Sequence, residues 1–144
     1  MRIDSFQGKW RFLSNFWEAP TLFEGILYPT AEHAYQAAKT MNIGDRYGIK
    51  SCRTPGRAKR MGKKLVLRPD WEEVKLVVME AVVKSKFTLN NELRLLLKQT
   101  GSMELVEGNG WHDNFWGDCW CDDCADIPGQ NHLGHIQMKV REGL

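Results

Sequence analysis

Glu32, Gln36 and Lys39 fall four and three residues apart within Tyr28–Thr40, YPTAEHAYQAAKT. At helical spacing those intervals bring an acid, an amide and an amine to one face, the inventory of a polar site. A Glu in the first turn of a helix has a second reading, as a charge that complements the positive end of the helix dipole. The other stretch rich in chemistry is Glu107–Cys124, EGNGWHDNFWGDCWCDDC. It sets Trp111, Phe115, Trp116 and Trp120 among Asn109, His112, Asp113, Asn114 and Asp118, with Gly108, Gly110 and Gly117 to turn the chain. Rings beside carboxylates and amides suit a site that stacks a flat ligand and holds a few of its polar atoms. The alternative is a loop that plugs a core with its tryptophans.

Three further groups could do chemistry. Asn15 lies between aromatics in FLSNFW, either as a turn residue bonding its own backbone or as the amide that orients a ligand in a ring-lined pocket. From Arg46 to Arg68 there are nine Lys or Arg residues and no Asp or Glu. That tract reads as a solvated face or as an anion site, for a phosphate on a small substrate or for a nucleic-acid backbone. No Walker or dinucleotide fingerprint accompanies Gly56 and Gly62. Cys121-x-x-Cys124 is one half of a zinc knuckle, for which His132-x-x-His135 would be the other half. Free reduced thiols, Cys119 included, are the competing reading.

These groups need elements to hold them. Thr30 is placed to cap a helix over the Glu32 stretch, with Ala31, Ala34, Ala38 and Met41 as its close-packing face. Thr21–Tyr28 reads as a hairpin or bent strand turning at Glu24-Gly25. Thr54-Pro55 starts a helix that buries Ala58, Met61 and Leu65 and displays Arg57, Arg60, Lys63 and Lys64. Asp70 and Glu73 form a capping box for a helix with Val74, Val77, Val78, Ala81 and Val82 inward, and Trp71 lies in its first turn. Asn90 opens another helix with Leu93, Leu96 and Leu97 inward and Gly101 as its stop, and Met103–Glu107 is extended. Asn131–Arg141 is a last short helix with Leu133, Ile136 and Val140 inward. At 144 residues, 42% apolar and 26% charged, the chain is expected to form one domain with its own core. A net charge of +2 says little about partners. No apolar run approaches the ~20 residues of a bilayer span, and MRIDSFQGKW lacks the apolar stretch of a signal peptide. A cytoplasmic location with reduced cysteines is therefore expected.

The residues also resemble a known family, the YbiA/NADAR N-glycosidases. The similar pieces are FLSNFWEAP at Phe12–Pro20, YPTAEHAYQAAKT at Tyr28–Thr40, GRAKRMGK at Gly56–Lys63, WEEVK at Trp71–Lys75 and KFTLNNELRLLLKQTG at Lys86–Gly101. LVEGNGWHDNFWGD at Leu105–Asp118 and GQNHLGHIQMKVR at Gly129–Arg141 complete them in the family's order. The resemblance implies a mainly α fold with a small β-hairpin element, a single compact YbiA-like domain over residues 1–144. It implies hydrolysis of a bond between a base-type nitrogen and a ribose anomeric carbon, with water as acceptor and no cofactor. The implied substrates are phosphorylated ribosylamino-pyrimidines of riboflavin synthesis or ADP-ribosylated guanine in DNA, and no membrane partner.

Carried over by position, the resemblance marks Glu32 and Asp118 as the catalytic pair. Glu32, at a helix N-terminus, is cast as base or oxocarbenium stabiliser. Asp118, if enclosed by Trp111 and Trp116, is cast as proton donor. Both acids are expected to open onto one aromatic-walled cavity. Trp71 and Trp116 are candidates to stack the base, and Arg57, Lys59 and Arg60 to hold phosphate. Asn15, Phe16, Gln36, Lys39, Asn109, Trp111 and Asn131 complete the substrate-binding candidates. The CWCDDC insert stands outside the family's core motif. A non-catalytic reader of ADP-ribose or nucleotides, and a nucleic-acid-binding module, are the alternative functions.

Overall fold

The structure is a computed structural model that describes all 144 residues. In chain order the elements are β1 (Arg2–Ile3), β2 (Glu18–Phe23), β3 (Ile26–Thr30), α1 (Ala31–Ala37), α2 (Ile43–Lys50) and α3 (Pro55–Gly62). They continue with α4 (Trp71–Leu89), α5 (Asn91–Gln99), β4 (Glu104–Leu105), β5 (Gly108–Asn109), β6 (Asp118–Cys119) and α6 (His132–Glu142). Helix predominates and every sheet is two-stranded, as the mainly α reading with a small hairpin expects. No helix is long and apolar enough to cross a membrane. The chain divides into two compact units, Asn15–Asn91 and Met1–Ser14 with Glu92–Leu144.

In the Asn15–Asn91 unit, β2 and β3 form the antiparallel hairpin, with Phe23 opposite Ile26 and Glu24-Gly25 at the turn. Both turn residues have positive φ (46° and 84°), the geometry whose twist matches a tight hairpin. Side chains alternate: Ala19, Thr21, Phe23, Ile26, Tyr28 and Thr30 point inward. β3 runs directly into α1, which is buried along its whole length. Ala31, Ala34, Ala37 and Ala38 let neighbouring elements approach it closely, and α2, α3, α4 and the hairpin all pack on it. Met41, expected on that small-residue face, is 63% exposed, because the helix ends at Ala37 and the chain has left the helical path. α2 was not legible as a helix; its two glycines obscure it, and Asn42 starts it by accepting the Asp45 N–H at 2.9 Å.

α4 corrects two expectations. Asp70 makes no capping bond; its carboxylate instead takes Arg68 bidentately, at 2.7 and 3.1 Å. The buried face is Trp71, Val78, Met79, Val82, Val83, Lys86 and Phe87, while Val77 is 71% exposed and Ala81 is exposed. Apolar residues surround most of that helix, so their period selects no single face.

In the other unit β1 pairs parallel with β4, and α6 packs on β4. Leu97, Leu105 and Leu133 lie in its core, and Gln137 Nε2 donates to the Leu13 carbonyl at 2.6 Å. Gly134, which weakens α6 on propensity, is required there. A Cβ would collide with the Leu105 carbonyl and the Asn131 amide. β5 pairs parallel with β6, setting Gly108 opposite Asp118 and Asn109 opposite Cys119.

Candidate active site

The start of α1 is built by hydrogen bonds that leave Glu32 fixed. Thr30 caps the helix, its hydroxyl accepting the His33 N–H at 3.1 Å. The His33 ring spans Thr30 Oγ1 (2.7 Å from Nδ1) and the Cys52 carbonyl (2.9 Å from Nε2). A carbonyl only accepts, so Nε2 carries the proton and Nδ1 takes the Thr30 hydroxyl. Burial lowers the His33 pKa and keeps this neutral tautomer in place. The Glu32 N–H donates to the Asn15 carbonyl at 3.0 Å, and Gln36 Nε2 donates to Glu32 Oε2 at 2.5 Å.

Glu32, Gln36 and Asn15 are all buried. Asn15 Nδ2 donates to the Met79 sulfur at 3.3 Å, yet Asn15 Oδ1 and Gln36 Oε1 have no hydrogen-bond partner. Buried acceptors without donors cost about 1–3 kcal/mol each, and such groups call for a partner. Both belong to residues bonded directly to Glu32. Lys39, the third member of the expected face, feels the same carboxylate: burial lowers its pKa and Glu32 opposes that shift. Its amine sits 5.6 Å from the Tyr35 ring, and Tyr35 in turn packs on Trp71 at 5.3 Å. Trp71 is buried, a wall rather than an open platform, whereas Phe16 is 45% exposed.

Gly62 of α3 holds Gln36 in place from the other side. A Cβ at this position would collide with Gln36 Oε1 and stand 2.8 Å from its Cδ. Gly62→Ala should therefore turn Gln36 away from Glu32. Overpacking costs about 1–3 kcal/mol, so a lowered melting temperature is expected together with about a tenfold loss of kcat, one order per ~1.4 kcal/mol. Steady-state kinetics beside a thermal melt check this; an unchanged kcat would detach the Gln36–Glu32 pair from turnover.

The basic tract is split by its contacts. Arg46 is buried, bonded to Glu24 at 2.8 Å and to the Thr40 carbonyl, and so belongs to the scaffold. α3, capped by Thr54, shows Arg57, Arg60, Lys63 and Lys64 to solvent and leaves Lys59 half-buried. Lys86 is the titratable group that sequence reading missed. It is fully buried on α4, 5.0 Å from the Phe87 ring, and desolvation lowers its amine to about 7. Its only signal was a lysine on the side of the helix that also presents Val82, Val83 and Phe87.

In the unit that holds the tryptophan-rich loop, two expected ligand-binding amides are engaged in hydrogen bonds within the protein. Asn109 donates to the Asp113 carbonyl (2.8 Å) and accepts N–H bonds from Trp111 and Asp113 (3.2 and 3.1 Å). Asn131 adopts a left-handed backbone (φ 51°), accepts the Glu107 N–H and donates to the Leu105 carbonyl. Asp118 accepts the Gly129 N–H at 3.0 Å, with Arg2 at 3.9 Å, and keeps 38% side-chain exposure. Trp111 is 58% exposed and encloses nothing, so the proton-donor assignment of Asp118 loses that premise. Trp116 meets Phe115 edge-on at 4.8 Å, and Phe115 packs on His132 at 4.5 Å. That contact, with a 2.8 Å bond from Nε2 to Gln130, employs His132, while His135 is exposed on α6. The metal-ligating set proposed from spacing is thereby corrected: Cys121 and Cys124 converge with His112 and Cys119, not with His132 and His135.

A family model for the NADAR domain matches residues 5–144, which include both carboxylates and every site residue described above. The chain belongs to the NADAR family. Within that family it is 38% identical over 133 residues to the N-glycosidase YbiA of Escherichia coli K12, covering 91% of this chain and 79% of that one. It is 37% identical to an N-glycosidase of Nostoc punctiforme, covering 91% and 83%. A riboflavin biosynthesis protein of Vibrio vulnificus is 34% identical over 92% of this chain, which spans 35% of that longer protein. The solution structure of E. coli YbiA matches with a TM-score of 0.82 at 34% identity, over 99% of this chain and 83% of that one. The NADAR frame thus extends through both units, and the helix-rich architecture is that of YbiA.

Proposed function

We propose that this NADAR chain hydrolyses the N-glycosidic bond between a base-type nitrogen and a (phospho)ribose or ADP-ribose. The substrate class comprises ribosylamino-pyrimidine phosphates and ADP-ribosylated guanine in DNA. The observation that carries the reading is the buried Glu32 carboxylate with the unpartnered Asn15 and Gln36 amide oxygens on residues bonded to it. Ribose hydroxyls are donors, the kind of partner these acceptors lack. As the C1′–N bond breaks, positive charge grows on the sugar ring, and a fixed carboxylate stabilises it more in the transition state than in the ground state. Water then adds its hydroxyl to C1′, and its proton balances the nitrogen of the departing base. Asp118 serves the same reaction as the second carboxylate, by analogy with the two-acid scheme of glycoside hydrolysis. Arg57, Lys59 and Arg60 supply the phosphate contacts.

Incubation with a panel of N-ribosides, phosphorylated ribosylamino-pyrimidines and ADP-ribosylated guanine DNA among them, with mass detection of products, tests it. Free base together with ribose phosphate or ADP-ribose is the expected result. Binding without any product would convert the protein into a reader. The exposed basic face of α3 favours one further reading, a nucleic-acid-binding module, whose affinity would collapse with rising salt.

A further inference from the structure

His112, Cys119, Cys121 and Cys124 each offer a ligand atom, and all of these atoms lie within 4.8 Å of one another. N-glycosidic hydrolysis uses none of them. His112 Nδ1 is 3.3 Å from the Cys121 sulfur and 3.4 Å from the Cys124 sulfur. Four tetrahedral ligands at ~2.3 Å (sulfur) and ~2.0–2.1 Å (nitrogen) from one ion stand roughly 3.5–3.8 Å apart, so the cluster needs only small adjustments to receive one. We propose that these residues form a Cys3His site for a structural zinc ion, a site that clasps the loop bearing Asp118.

The surroundings of the sulfurs fit that assignment. Cys119 Sγ accepts N–H bonds from His112 (3.3 Å) and Cys121 (3.5 Å), the outer-shell donors that support a metal-bound thiolate. Cys121 to Cys124 is a tight turn closed by a 3.0 Å bond from the Cys124 N–H to the Cys121 carbonyl, which brings the two sulfurs to one side. His112 has φ 68°, a left-handed backbone that costs a non-glycine residue about 1–2 kcal/mol and that directs its ring and its N–H toward the same cysteines. Cys119 and Cys124 are buried, and Cys119, Cys121 and Cys124 are all free thiols with none spent on a disulfide, so with His112 four protein ligands are present. A closed four-ligand set marks a structural site; a catalytic one leaves a position for water. Cys119 directly follows Asp118 on β6, and His112 directly follows Trp111, so the ion would cross-link both ends of the turn that presents this carboxylate.

The full chain, purified under reducing conditions, should contain one zinc per molecule by elemental analysis. Replacement by cobalt(II) should give the intense visible and near-ultraviolet bands of a tetrahedral thiolate site, read on the wild-type protein without any mutation. His112→Ala and Cys124→Ser should weaken retention against a chelator by more than the roughly 10–100-fold that loss of an outer-shell partner costs. His135→Ala should retain the metal. Reduced protein that gives no tetrahedral cobalt spectrum would overturn the proposal. So would a spectrum lost in His132→Ala but kept in His112→Ala, or a disulfide among the three cysteines that persists under reductant. Metal content is read independently of turnover, so this proposal and the N-glycosidase reading stand or fall separately.

Discussion

Glu32→Gln should lower kcat by about 10²–10⁴-fold, the range spanned by a positioned acid–base group, while leaving KM and the melting temperature near wild type. The side chain keeps its size, and its amide oxygen can still accept the Gln36 Nε2 bond, so the start of α1 has no reason to rearrange. What disappears is a negative charge at a site where the substrate becomes positive only as the bond breaks, so the loss belongs to kcat rather than to binding. Asp118→Asn is the matching experiment, because an asparagine oxygen still accepts the Gly129 N–H. The double variant tells whether the two groups act as a unit. Carboxylates that serve one reaction lose little more together than the worse of them alone, whereas independent ones multiply their losses. Turnover within a few-fold of wild type in both single variants would leave the N-glycosidase reading without its chemistry.

Much of this frame could be read in the sequence, because local chemistry decides it. Thr30, Thr54 and Gly101 act where propensity puts them: two hydroxyls accept a helix's first N–H groups, and a glycine takes a positive φ of 62° where α5 stops. The hairpin turn at Glu24-Gly25 is equally local. Choices between competing partners were not legible. Asp70 had two possible partners, and the bidentate Arg68 pair outbids a cap. The apolar circumference of α4 left its inward face to be chosen by α1 and β2. Two His-x-x-His nitrogens looked like ligands on spacing, but α6 carries them on a helix whose start is committed to Phe115 and Gln130. The histidine that converges on the cysteines, His112, lies upstream of them and reaches them through a backbone conformation that no spacing rule anticipates. Glu32 was visible as a carboxylate in a first turn, but the orphaned amide oxygens beside it exist only in three dimensions.

Lys86→Met should abolish a rise in stability that the wild-type protein shows between pH 7 and pH 10. Desolvation lowers the buried amine from 10.5 to about 7, so between those values the unfolded chain holds a proton that the folded chain has released. Stability rises with pH wherever the unfolded state binds more protons, by about 1.4 kcal/mol per pH unit for a difference of one. Wild type should therefore grow more stable from pH 7 to 10, and the methionine variant should lack that slope. Urea denaturation at three or four pH values measures the difference directly, and parallel profiles would show that the ammonium is comfortable where it sits. At a value near 7 the amine is partly unprotonated at neutral pH, which is why the slope begins there.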